Sequence, residues 1–112
     1  LGLAGELASK GIAVNALWPR TTIATSAIQN LLGGDKMVQA SRTPEIMGDA
    51  AHMVFMKDSR EFSGRFLIDD SFMADEGVTD FSPYRVDASV PLMPDFFVPA
   101  DMPPPRDVVG GV

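Results

Sequence analysis

The chain has 112 residues, 46% of them hydrophobic and 21% charged, with a formal net charge of −6 and no cysteine. That length allows a single modest core, and the composition fits an ordinary globular protein rather than a disordered one. Without cysteine there is no disulfide framework or thiolate metal site, and no apolar run reaches the roughly 18 residues of a transmembrane helix.

The lack of cysteine agrees with a cytoplasmic protein, and the N-terminus lacks the basic-then-apolar layout of a secretory leader. Charge is unevenly placed: residues 1–65 carry seven basic and six acidic groups, residues 66–112 two basic and nine acidic. Phosphate neutralisation needs clustered Lys and Arg, so neither a nucleic-acid nor a membrane partner is expected. Leu1 stands where an initiator methionine would, and the first residues already read as mid-helix. The expectation is therefore a portion of a longer polypeptide.

"LGLAGELASKG" sets Leu1, Ala4 and Ala8 on one helical stripe with Leu3 and Leu7 beside it. Lys10 followed by Gly11 is a helix stop, a cation in the last turn and then a residue free to take positive φ. "IAVNAL", residues 12–17, is too short and too continuously apolar for a helix and reads as a buried parallel strand. Within it Asn15 is expected to satisfy backbone groups at the strand end. Pro19 ends the pairing, and Arg20, Thr21, Thr22 and Thr25 then present polar groups, as a ligand site at a strand end would.

Residues 26–42 mix helix-permitting stretches with the Gly33-Gly34 break and read as a lid-like excursion. Thr43-Pro44-Glu45 opens the next helix: Thr43 as cap, Pro44 in the first position, Glu45 against the positive end. Met47, Ala50, Ala51 and Val54 carry it to about Lys57. "RFLID", residues 65–69, is the second short strand. Seven of the nine prolines lie between Pro83 and Pro105. Residues 79–112 are thus expected to form an extended, acidic, Pro-rich arm, with Leu92, Met93, Phe96, Phe97 and Val98 packing on the domain or a second subunit and the last residues frayed.

Other chemistries lack support. His52 is the only histidine, so no metal site is expected. Thr25 and Ser26 have no histidine base nearby for a hydrolase triad. Asp69 and Asp70, read as neighbours on a strand, would point to opposite faces rather than work as an acid–base pair. The methionines at 37, 47, 53 and 56 are expected to fill core rather than line a pocket.

Taken in order, "LAGELASKGIAVNALWP", the Pro-Glu-opened helix at 44–45, Ser63-Gly64 and "IDDS" at 68–71 resemble the short-chain dehydrogenase/reductase family downstream of its Tyr-x-x-x-Lys motif. "NALWPR" and "PLMPDFF" most resemble its hydroxysteroid dehydrogenase-like subgroup. The resemblance spans roughly residues 1–78. It implies an α/β fold: the C-terminal part of a Rossmann-like doubly wound parallel sheet, its last two strands plus flanking helices, followed by the Pro-rich C-terminal arm. Residues 1–78 would be part of an NAD(P)-binding domain and 79–112 the arm.

The implied activity is an NAD- or NADP-dependent oxidoreductase interconverting a ketone and a secondary alcohol. Its glycine-rich loop, catalytic Ser and Tyr-x-x-x-Lys would lie before Leu1, so no catalytic residue is expected in this chain and the chain alone would be inactive. The implied cofactor-binding residues are Pro19, which shapes the turn, Ile23, through its backbone N–H, and Thr25. Arg20 stands where the family has glycine, and could meet a cofactor phosphate or an anionic substrate such as an acyl-CoA, or be solvated. Implied partners are a small carbonyl or alcohol substrate, further copies of the chain in a homo-oligomer, and the missing N-terminal half of the domain. A catalytically inactive member acting as an oligomerisation or interaction module is the alternative.

Overall fold

The computed structural model describes residues 2–32 and 34–112, with the side chains of residues 31 and 32 left aside. Leu1 of the first apolar stripe and Gly33 of the lid lie outside the described residues. Helix α1 (Gly2–Leu7) runs on through a 3₁₀ turn at Ala8–Lys10 and stops at Gly11, whose φ of 72° and N–H bond to the Ala8 carbonyl make the expected left-handed cap.

Strands β1 (Ala16–Trp18) and β2 (Phe66–Ile68) pair in parallel, Ala16 opposite Phe66 and Trp18 opposite Ile68. Between them runs a crossover carrying a π-turn at Ile28–Leu32, helix α2 (Gly34–Gln39) and helix α3 (Glu45–Phe55). β1 is shorter than the six-residue run suggested. Before Ala16 the chain lies beside 62–65 through mixed contacts: Val14 N–H donates to Ser63 Oγ, and Gly64 N–H to the Val14 carbonyl. Asn15 fills its expected role, donating from Nδ2 to the Phe62 carbonyl and accepting the Arg65 N–H at Oδ1.

Two expectations about helix starts change. The Thr43 hydroxyl bonds the Glu45 carboxylate, lowering its pKa, instead of capping a backbone N–H, and Pro44 is the cap residue of α3. β2 ends at Ile68, so Asp69 is not a strand residue. Helix α4 (Asp69–Asp75) begins there, with Asp69 and Asp70 against its positive end.

Ile46 and Ala50 of α3, Met73 of α4 and Phe81 are fully buried together, with Leu17, Ile23, Met53 and Val108 packed around them. Spacing of four between Ile46 and Ala50 puts both on one face of α3, toward α4. Residues 79–112 are woven into this body. Phe81 N–H donates to the Val109 carbonyl and Val109 N–H to the Thr79 carbonyl, so the terminal stretch is paired rather than frayed. No helix among the described residues is long and apolar enough to cross a membrane.

Candidate functional site

Parallel pairing in register brings both strand ends to one edge. Trp18 and Ile68 stand side by side, so Pro19-Arg20 and Asp69-Asp70 emerge together at the carboxyl ends of the strands, where open α/β sheets bind ligands. Arg20 ties the edge together. Its N–H donates to Asp69 Oδ1 (3.0 Å), Nε to Asp70 Oδ1 (3.1 Å), Nη2 to Ser71 Oγ (2.7 Å) and the Pro103 carbonyl (3.1 Å), and Nη1 to the Met102 carbonyl.

Only 4% of Arg20 is exposed, which overturns the solvated reading. Its guanidinium is instead engaged within the chain by Asp70, Ser71 and the carbonyls of Met102 and Pro103. Asp70 also accepts from Arg42 Nη1 at 3.1 Å, and Arg42 lies over the Phe81 ring, its Cζ 5.4 Å from the centroid. Among the described residues, Arg42 Nε and Nη2 and Asp69 Oδ2 are buried without hydrogen-bond partners. Burial raises the pKa of Asp69, against the N–H donors of Arg20 and Asp70. No residue type or spacing announced this cluster. Its only sequence signal was Arg20 itself, standing where the resembled family has glycine.

The strand-end hydroxyls divide. Thr21 and Thr22 are buried: Thr21 Oγ1 bonds the Thr22 carbonyl, and Thr22 Oγ1 bonds Ser41 Oγ at 2.7 Å. Thr25 is exposed, its Oγ1 accepting only a long bond of 3.4 Å from Ile28 N–H. A hydroxyl carries one donor and two acceptor positions, so Thr25 keeps capacity for a ligand beside its capping contact.

Ile23 is set by its neighbours. The Thr22 carbonyl accepts from Arg42 N–H, and Ala24 N–H donates to the Arg42 carbonyl. In a trans peptide the Thr22 C=O and Ile23 N–H point opposite ways, so the Ile23 N–H is aimed away from Arg42. It has no hydrogen-bond partner among the described residues. Pro19, Ile23 and Thr25 share one shallow pocket of about 240 Å³ with Ile28, Phe96 and Phe97. Among the described residues no group of three His, Cys, Asp or Glu side chains could hold a metal.

No family model matches the chain. Hydroxysteroid dehydrogenase-like protein 2 of Danio rerio is 44% identical over 109 residues, 97% of this chain and 25% of its own length. The same-named protein of Homo sapiens is 42% identical over 98 residues, 88% of this chain and 23% of its own. The chain thus spans about a quarter of the length of these curated relatives. Among solved structures, a protein from Xanthomonas campestris described as a dehydrogenase is similar at a TM-score of 0.81 and 52% identity, over 88% of this chain and 36% of that one. A short chain dehydrogenase from Mycobacterium thermoresistibile follows at 0.79 and 44%, over 96% and 38%. The parallel crossover, the motif order and these relatives agree: the chain matches a C-terminal portion of short-chain dehydrogenases.

Proposed function

We propose that the polypeptide carrying this chain is an NAD- or NADP-dependent oxidoreductase in which a ketone, a reduced nicotinamide and a proton give a secondary alcohol and the oxidised nicotinamide. The observation that carries this reading is that Ile23, whose N–H has no hydrogen-bond partner among the described residues, lines one pocket with Pro19 and Thr25. A carboxamide needs a donor for its oxygen and an acceptor for its nitrogen, and Ile23 N–H and Thr25 Oγ1 offer both within three residues of chain. The nicotinamide, when bound, supplies the hydride. These residues orient it, and orientation is most of what a protein contributes to such a transfer.

Arg20 in this reading does not touch the cofactor. It holds the turn after Pro19 to Asp69, Asp70 and residues 102–103, replacing the freedom of a glycine with a fixed network. Residues 24–42 serve as the substrate lid, residues 1–78 belong to the cofactor domain, and 79–112 form the Pro-rich segment behind it. The proton-transferring Tyr-x-x-x-Lys lies elsewhere in the polypeptide, since Tyr84, the only tyrosine here, has Ala88 four positions on. The 112 residues alone should therefore turn over no ketone.

The test is a fluorescence titration of the full-length polypeptide with NADH and NADPH. Saturable binding of at least one is expected, weakened by Thr25→Val. If neither binds, the reading is wrong.

A further inference from the structure

Asp70 is the meeting point of two arginines from separate stretches of the chain. Its Oδ1 accepts from Arg20 Nε and its Oδ2 from Arg42 Nη1, and the Asp70 and Arg42 side chains are fully buried. A group enclosed within these residues stays enclosed whatever further polypeptide packs on them. The two arginines depend on Asp70 unequally. Arg20 keeps Ser71 and the carbonyls of Met102 and Pro103 as further partners. Arg42 Nε and Nη2 have no partner among the described residues, so there Asp70 is the single polar tether of that side chain.

The backbone of Arg42 in turn brackets Ile23. Its N–H donates to the Thr22 carbonyl at 3.0 Å, and its carbonyl accepts the Ala24 N–H at 2.9 Å. A continuous path thus runs from the Asp70 carboxylate through Arg42 to the peptide planes on either side of Ile23. We infer that Asp70, acting through Arg42, is a positioning residue that sets the direction of the Ile23 N–H for a nicotinamide carboxamide. This rests on the cofactor reading above and adds to it two residues that do not line the pocket. Stability alone does not account for the cluster, since buried ion pairs are often replaceable by apolar residues of similar volume without loss. A charge-assisted bond from a planar guanidinium adds a defined geometry instead. Direction matters here because a hydrogen bond weakens steeply once its angle falls below about 120°. An Ile23 peptide plane released by Arg42 would lose the carboxamide without leaving the pocket.

The experiment compares two ligands of the full-length protein, NADH and ADP-ribose, which is the same dinucleotide without its nicotinamide. For a protein that prefers the phosphorylated cofactor the pair is NADPH and 2′-phospho-ADP-ribose. Wild type should bind the nicotinamide form about tenfold more tightly, the fold-change of one or two ordinary hydrogen bonds. Asp70→Asn gives two guanidiniums one oxygen and no charge. Arg42→Met fills a similar volume and leaves Asp70 paired with Arg20, so it decides the matter should Asp70→Asn fail to fold. Each variant should bring the ratio below about threefold while ADP-ribose affinity stays within about twofold of wild type. Arg42→Lys, which keeps a cation and a donor for Asp70, should recover part of the ratio. Without any ligand, hydrogen exchange read by mass spectrometry should quicken at least about tenfold at residues 22–24 and 42 in Arg42→Met. Ala16, whose N–H is bonded to the Arg65 carbonyl, should keep its protection.

An unaltered ratio in Arg42→Met overturns the inference, as does unaltered exchange at residues 22–24. The bonds from Val86 N–H to the Ser41 carbonyl and from Thr43 N–H to the Tyr84 carbonyl would then hold the stretch unaided. Equal weakening of both nucleotides also overturns it, and assigns Asp70 to general support of the fold. In each of these cases the cofactor reading stands. Wild-type protein that binds ADP-ribose as tightly as NADH, or that binds neither nucleotide pair, removes the Ile23 contact itself, and this inference with it.

Discussion

Asp70→Asn removes the one charge that two buried guanidiniums share. Asp70 and Arg42 side chains are both 0% exposed and Arg20 is 5% exposed, with contacts of 3.1 Å on each side. The asparagine keeps the shape but not the charge, and its Nδ2 must face one guanidinium nitrogen donor to donor. Removing one partner of a buried pair typically costs about 3–5 kcal/mol, because the remaining charge is left uncompensated. Here two such charges remain, so the upper part of that range is expected.

The control lies in the same molecule. Lys57 pairs with Glu76 at side-chain exposures of 35% and 27%, and an exposed pair of that kind is worth about 0–1 kcal/mol. Urea unfolding of the full-length protein, with unchanged slope, should therefore separate Asp70→Asn from Glu76→Gln by about 3 kcal/mol or more. A cost for Asp70→Asn of less than about 1 kcal/mol, equal to that of Glu76→Gln, would refute the claim that the cluster is a desolvated charge network.

Three other outcomes follow from the geometry. Asp69 has its pKa raised chiefly by burial, so the folded state holds its proton at pH values where the unfolded chain has lost it; stability is full below the ordinary carboxylate value and falls as pH rises toward the folded one. Asp69→Asn keeps an acceptor for the Arg20 and Asp70 N–H groups, so its stability relative to wild type should grow with pH in unfolding titrations; a constant difference would contradict this. The Tyr84 phenol is pushed up to about 12 by burial, then by the hydrogen bond and charge of Asp49, 2.5 Å away. A phenolate difference spectrum against Tyr84→Phe should place it there, and Asp49→Asn should bring it back toward the ordinary value. Gly110 has a φ of 70°, and a Cβ there would stand 2.4 Å from Ser82 N, so Gly110→Ala should cost at least about 2 kcal/mol and expose residues after Asp107 to limited proteolysis.

Much of the local structure was legible because it depends on neighbours in sequence. Lys10-Gly11 stopped a helix, Pro44-Glu45 started one, and two short apolar runs became the parallel pair. Asn15 read correctly as a strand-end clasp, since a buried amide must find backbone partners. Pro19, Ile23 and Thr25 do meet in one pocket, as their spacing across a turn allowed.

What sequence alone could not decide were contacts over long separations. Arg20 read as a solvated or phosphate-facing cation because its partners, Asp70 and residues 102–103, lie 50 to 83 positions away. Asp69 and Asp70 read as opposed strand neighbours, but the chain turns into α4 at Asp69 and buries both carboxylates. Nor does composition tell a frayed proline-rich tail from one held to the core by Phe81 and Val108 and by the backbone pairing of Val109. Periodicity and turn chemistry act over a few residues and fix the elements. Whether a charge is solvated or buried, and which surface stays open for a ligand, depends on what the fold brings alongside it, and only the tertiary structure sets that.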